Sequence, residues 1–105
     1  MILAALTRSD VVDRLARIRS EVEQLGVQRL ALFGSVQRNA ARPDSDVDLL
    51  VEFRPGEKTY DHFLSLGDLL EATFGRRVEL VTAESLSPFI GPHILAEAMD
   101  VLRAA

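Results

Sequence analysis

Apolar positions along this chain fall into two rhythms that alternate from the N-terminus onward. Val11, Leu15, Ile18, Val22 and Leu25 recur at steps of three and four, the spacing of one helix face. Ser9 is suited to cap that helix, Asp10 and Asp13 lie near its positive end, and Gly26 is the kind of residue that ends one. The opposite face, with Arg14, Arg17, Glu21 and Gln24, reads as solvated. Leu30-Ala31-Leu32-Phe33 is a continuous apolar run and predicts a buried strand. Residues 35–42 have room for about two helical turns before Pro43 stops them.

The rhythm changes at Asp46. From there to Phe53 the residues alternate, with Val47, Leu49, Val51 and Phe53 on one side and Asp46, Asp48, Leu50 and Glu52 on the other. Arg54-Pro55-Gly56 is a turn. Tyr60, Phe63, Gly67, Leu70 and Phe74, widened by Leu66 and Leu69, predict a second long helix closed by Gly75, with Tyr60 as an aromatic anchor. Arg77 to Val81 predicts a third strand, Val78 and Leu80 facing one way and Glu79 the other. Gly91-Pro92 opens a final helix whose apolar side is Ile94, Leu95, Ala98, Met99 and Leu102. The expected architecture is an α/β (α+β) fold, a sheet of about three strands layered against helices.

Composition narrows the functional classes. A length of 105 residues predicts a single domain spanning residues 1–105, and 48% hydrophobic with 27% charged residues suits an ordinary globular protein. The absence of cysteine excludes disulfides and thiolate zinc sites and fits a reducing compartment. Sixteen acids against twelve bases argue against a broad nucleic-acid-binding surface. The apolar opening Met1 to Leu6 is too short for a signal sequence, and no run approaches the ~20 residues of a membrane span. A soluble, cytoplasmic protein is expected.

Candidate chemistry lies between Leu32 and Phe53. Gly34-Ser35 at a strand end lets a ligand approach the backbone, and the following N–H groups with the Ser35 hydroxyl suit a phosphate; alone, the pair is also a common turn. Asp46 and Asp48, with Cα atoms roughly 6.5–7 Å apart on one strand face, suit one or two magnesium ions; alone, they also suit a polar sheet rim. Glu79 shares that face if its strand is the neighbour, as a further metal ligand or a proton acceptor; otherwise it is an exposed strand glutamate. His62 and His93 have no partner at ligand spacing and read as helix-surface residues.

The combination is more specific than its parts. A strand, Gly-Ser, ten intervening residues, Asp-x-Asp opening a strand and a later strand acid resemble the nucleotidyltransferase superfamily that includes DNA polymerase beta. More closely, FGSVQRNAARPDSDVDLLVEF, RRVELVT and PHILAEAMDVL resemble the minimal nucleotidyltransferase (MNT) antitoxins that partner HEPN toxins. The resemblance implies a mixed-sheet nucleotidyltransferase fold using ATP and magnesium. It assigns Gly34, Ser35 and Arg38 to the triphosphate and Asp46, Asp48 and Glu79 to metal and catalysis, Arg38 being equally readable as a surface arginine. Asn39 stands where the family often has glycine, which bears on the loop near the phosphates, and Glu79 where aspartate is frequent.

The implied function is transfer of AMP from ATP to a hydroxyl, by resemblance a tyrosine, of a HEPN ribonuclease toxin, which silences it. The alternatives are neutralisation by binding alone, through the apolar N-terminal residues and the last helix, or transfer to another acceptor. A hetero-oligomer with the HEPN protein is expected, with no membrane and no direct nucleic-acid partner.

Overall fold

A computed structural model describes residues 4–104; Met1, Ile2 and Leu3, part of the apolar opening, lie outside the described residues. The elements run α1 (Arg8–Arg17), α2 (Arg19–Gln24), β1 (Val27–Phe33), α3 (Gly34–Gln37), β2 (Val47–Phe53), α4 (Tyr60–Phe74), β3 (Val78–Thr82), α5 (Gly91–Glu97) and β4 (Met99–Arg103). The strands form one mixed sheet in the order β3-β2-β1-β4. β1 pairs antiparallel with β2 and β4, and β2 pairs parallel with β3.

The first helix starts earlier than expected and is broken. Thr7, not Ser9, is the cap: its hydroxyl accepts from the Asp10 N–H while the Asp10 carboxylate accepts from the Thr7 N–H. The helix pauses at Ile18 (φ −111°), separating α1 from α2, yet Val11, Leu15 and Val22 all remain fully buried. Gly26 follows with φ +80°, as expected.

Strand alternation sorts the core into two layers. Leu30, Leu32, Val47, Leu49 and Val51 pack with Val11, Leu15, Leu66, Leu70 and Phe74 of the helices on one face. Ala31, Phe33 and Leu50 form a smaller cluster on the other, covered by Val81, Leu86, Ile94 and Ala98. A register shift between Val27 and Arg29 turns both Val27 and Leu30 into the larger core despite their odd spacing.

Three expectations are corrected. The segment after Gly34 makes a single turn, α3, in place of two. Tyr60 is 76% exposed at the start of α4 and anchors nothing; Leu66, Leu70 and Phe74 do. The last helix stops at Glu97, and Met99–Arg103 becomes a fourth strand. The outer edge of β1 would otherwise present unpaired N–H and C=O groups, and β4 satisfies them. A register shift in this pair lets Val101 and Leu102 both lean on the larger core, whereas Met99 is exposed. Tertiary pairing overrides a spacing that suits a helix.

Leu102→Ala should therefore cost about 2–3 kcal/mol in urea denaturation, and Met99→Ala under about 1 kcal/mol. Equal losses at the two positions would contradict a strand that turns Leu102 inward.

Candidate active site

The end of β1 and the start of β2 are brought together by the antiparallel register, in which Phe33 faces Asp48. Gly34 follows with φ +75°, a conformation costly to residues with a side chain. Space dictates glycine as well: a Cβ here would lie 2.0 Å from Asp48 Oδ2 and 2.9 Å from its Cγ. The Asp48 carboxylate thus occupies the volume that any other residue would need. Ser35 and Val36 continue into α3, Ser35 half-buried and Val36 locked in the core.

After α3 the chain must turn back, and Asn39 does so with φ +55°. Asparagine is among the few non-glycine residues that enter this region readily. The departure at Asn39 accordingly keeps a left-handed turn here, and the loop closes with the Ala40 N–H donating to the Ser35 carbonyl at 2.9 Å. The segment before β2 is pinned in turn. The Arg42 N–H donates to Ser45 Oγ at 2.8 Å, and Arg76 donates to the carbonyls of Pro43 (3.1 Å), Phe74 (3.3 Å) and Ala4 (3.2 Å). Asp46 is delivered from that braced turn, one residue ahead of β2 itself.

β3 completes the acidic group. Its parallel register sets Glu79 beside Asp48, and alternation puts both on the face away from Val47, Val78 and Leu80. Burial pushes the Asp48 carboxyl up to about 7, helped by a hydrogen bond with Glu79 and by the negative charges of Glu79 and Asp46; only Arg38 opposes. Two carboxyls that share a proton are arranged so that a cation can take the proton's place, and their oxygen donors suit magnesium. Among the described residues, no three acidic or histidine side chains already converge as a closed metal site. Asp46 acts on Asp48 through its charge.

Arg38 caps α3 with its side chain over half exposed, and its guanidinium meets the Glu97 carboxylate at 2.5 Å. The same carboxylate accepts from the Gly34 N–H at 3.3 Å, and Gln37 donates to the Glu97 carbonyl at 2.8 Å. The six expected residues therefore gather around the ends of β1 and β2 with the adjoining part of β3. Sequence reasoning missed Glu97 and the brace at Arg76. Glu97 lies 59 residues from Arg38, and no local pattern marks Glu97 or Arg76.

Known proteins resemble this chain in sequence and fold. The family model for the nucleotidyltransferase domain matches residues 15–101. Protein adenylyltransferase MntA of Thermococcus cleftensis is 37% identical over 100 residues, covering 94% of this chain and all of that protein. A solved structure provisionally named a minimal nucleotidyltransferase is 35% identical with a TM-score of 0.75, covering 90% of this chain and 95% of that one. A Shewanella oneidensis MNT antitoxin, solved in complex with its tri-AMPylated HEPN toxin, shares the fold at 15% identity and a TM-score of 0.64, over 93% of this chain and 74% of its match. The chain belongs to the nucleotidyltransferase domain family, as one of its minimal, MntA-like members. It is a nucleotidyltransferase.

Two consequences can be measured. Gly34→Ala should lower stability by more than Gly56→Ala, since both residues have positive φ but a Cβ at Gly56 meets nothing within 4 Å. The shared backbone cost is about 1 kcal/mol, and equal losses would remove the Asp48 contact from the account. The second consequence concerns pH. A carboxyl raised to about 7 in the folded chain, from an unfolded value near 3.9, stabilises the fold fully below that lower value and loses this contribution as pH rises to about 7. In metal-free buffer the melting temperature should fall between pH 4 and 8, and Asp48→Asn should flatten that fall. An unchanged profile in the variant would contradict the raised carboxyl.

Proposed function

We infer that this chain transfers AMP from ATP to a hydroxyl of a partner protein, and that the partner is a HEPN-type toxin silenced by the modification. The observation that carries this reading is the juxtaposition of Gly34 with Asp48, and of Asp48 with Glu79. It sets a surface suited to phosphate directly against carboxylates suited to metal. The family membership and the adenylyltransferase name of a relative spanning nearly the whole chain support the same chemistry.

In this reading Gly34 and Ser35 receive the triphosphate through backbone N–H groups and the Ser35 hydroxyl, with Arg38 at its flank. Asp46 and Asp48, with Glu79, would hold magnesium, which would supply neutralisation of the triphosphate and pyrophosphate charge. The acceptor oxygen forms a bond to the α-phosphorus, and the bond from that phosphorus to the α–β bridging oxygen breaks. Pyrophosphate leaves with that oxygen. The hydroxyl proton passes to the Glu79 carboxylate, which stands beside Asp48 on the neighbouring strand. The acceptor is supplied by the partner, with tyrosine as the expected residue and the cytoplasm as the expected compartment.

Neutralisation by binding alone is the second reading. It is favoured by Phe89 (87% exposed), Ile90 and Leu95, apolar side chains that α5 and the loop before it present to solvent. No described helix is long and apolar enough to cross a membrane, so this patch is not part of a helical span.

Purified chain, labelled ATP, magnesium and a cognate HEPN protein should give label on the toxin. Asp46→Asn with Asp48→Asn should lower the transfer at least about 100-fold, the scale of losing a group essential to catalysis. Undiminished transfer would refute these roles. No transfer by the wild type, with full neutralisation retained by the double variant, would establish binding alone.

A further inference from the structure

The Glu97 carboxylate sits on the two groups that an incoming triphosphate needs. One of its oxygens accepts from the Gly34 N–H at 3.3 Å, and the other pairs with the Arg38 guanidinium at 2.5 Å. Both partners are suited to phosphate oxygens, and a carboxylate presents the same charge sign and the same planar pair of acceptors. Its surroundings hold it there. Gln37 fixes the Glu97 carbonyl at 2.8 Å, the Ala98 N–H closes α5 onto Ile94, and Met99 immediately pairs with Leu32 of β1. The backbone at Glu97 is thus tied on both sides, while its side chain stays partly open to solvent, 26% exposed.

We propose that Glu97 is an internal competitor for the triphosphate, a residue that sets nucleotide affinity by occupying the Gly34 and Arg38 positions until ATP displaces it. This rests on the nucleotide-binding reading of those two residues given above. Binding exchanges one anion for another. The Gly34 N–H and the Arg38 guanidinium pass from carboxylate to phosphate, and Glu97 turns out to solvent, where its charge is hydrated. It cannot remain, because the triphosphate would place like charge against it in a site that already contains Asp46, Asp48 and Glu79. Two other roles fit the geometry less well. A magnesium ligand would be directed toward the other carboxylates, whereas the two Glu97 oxygens are directed at an N–H and a guanidinium, the donors of an anion site. As a purely structural tie it would need no negative charge, since the Gln37 bond to its backbone already joins α3 to α5.

The test is calorimetric titration of ATP, and separately of inorganic triphosphate, both with magnesium, into the wild-type chain, Glu97→Gln and Glu97→Ala. Melting curves confirm that each variant is folded. An exposed ion pair of this kind holds its partners weakly, so both variants should bind ATP about two- to fivefold more tightly than the wild type. Triphosphate should show the same gain, because the competition is for the phosphate chain. Equal or weaker ATP binding in the folded variants, with the wild type binding normally, would overturn the competitor role and leave the proposed function standing. A gain for ATP without one for triphosphate would also overturn it, by placing the effect at the nucleoside. Failure of the wild type and both variants to bind either ligand would sink the nucleotide-site reading together with this inference.

Discussion

The close approach of Asp48 to Gly34 is the constraint on which this molecule's chemistry depends. One residue must lack a side chain because the carboxylate of the other fills that space. The approach is produced by ordinary strand pairing, since Phe33 and Asp48 are register partners and Gly34 is the next residue along. It also fixes the reach of the site. In the proposed function, a phosphate resting on the turn at Gly34 would lie within a few ångströms of the Asp48 oxygens, so the phosphate and metal sides of the reaction would need no hinge to meet. The parallel neighbour β3 then adds Glu79 at the same level. Each strand contributes by one register position, and a slip of one residue in β2 would turn the carboxylates into the hydrophobic layer.

The same geometry loads the site with negative charge. Asp46, Asp48 and Glu79 stand on one side, and Glu97 reaches in from α5 on the other, with Arg38 as the opposing cation. The chain answers this locally in two ways: the Asp48 carboxyl, pushed up by burial and by Glu79, holds a proton more readily, and Glu97 takes the donors at Gly34 and Arg38. In the proposed function each answer is provisional in the same sense: a divalent cation would replace the proton between the carboxyls, and a phosphate would replace the Glu97 carboxylate. A site proposed to receive a magnesium nucleotide is electrostatically uncomfortable without one, and the larger core on the far face of the sheet holds it in shape.

Much of this was legible in the chain, for reasons that differ from residue to residue. Asp46, Asp48 and Glu79 could be placed on one face because strands alternate and their apolar partners Val47, Leu49, Val78 and Leu80 mark the other. Gly34 could be suspected from its place at a strand end, although the carboxylate that excludes a side chain there is visible only in three dimensions. Residues 94–102 misled because their apolar spacing suits one continuous helix, whereas the unpaired edge of β1 decides the matter for Met99–Arg103. Asn39 looked like a disturbance of the loop, yet its left-handed backbone is one that asparagine tolerates well. Glu97 was illegible because an ion pair between residues so distant in sequence leaves no periodic trace.

A crystal structure of the chain with magnesium and a non-hydrolysable ATP analogue would test the central claim most directly. It should show the triphosphate against Gly34 and Ser35, metal between it and the Asp46 and Asp48 carboxylates, and the Glu97 side chain withdrawn from Gly34 and Arg38. Nucleotide bound elsewhere, with Asp48 still paired to Glu79 and Glu97 still seated on Gly34 and Arg38, would contradict the account.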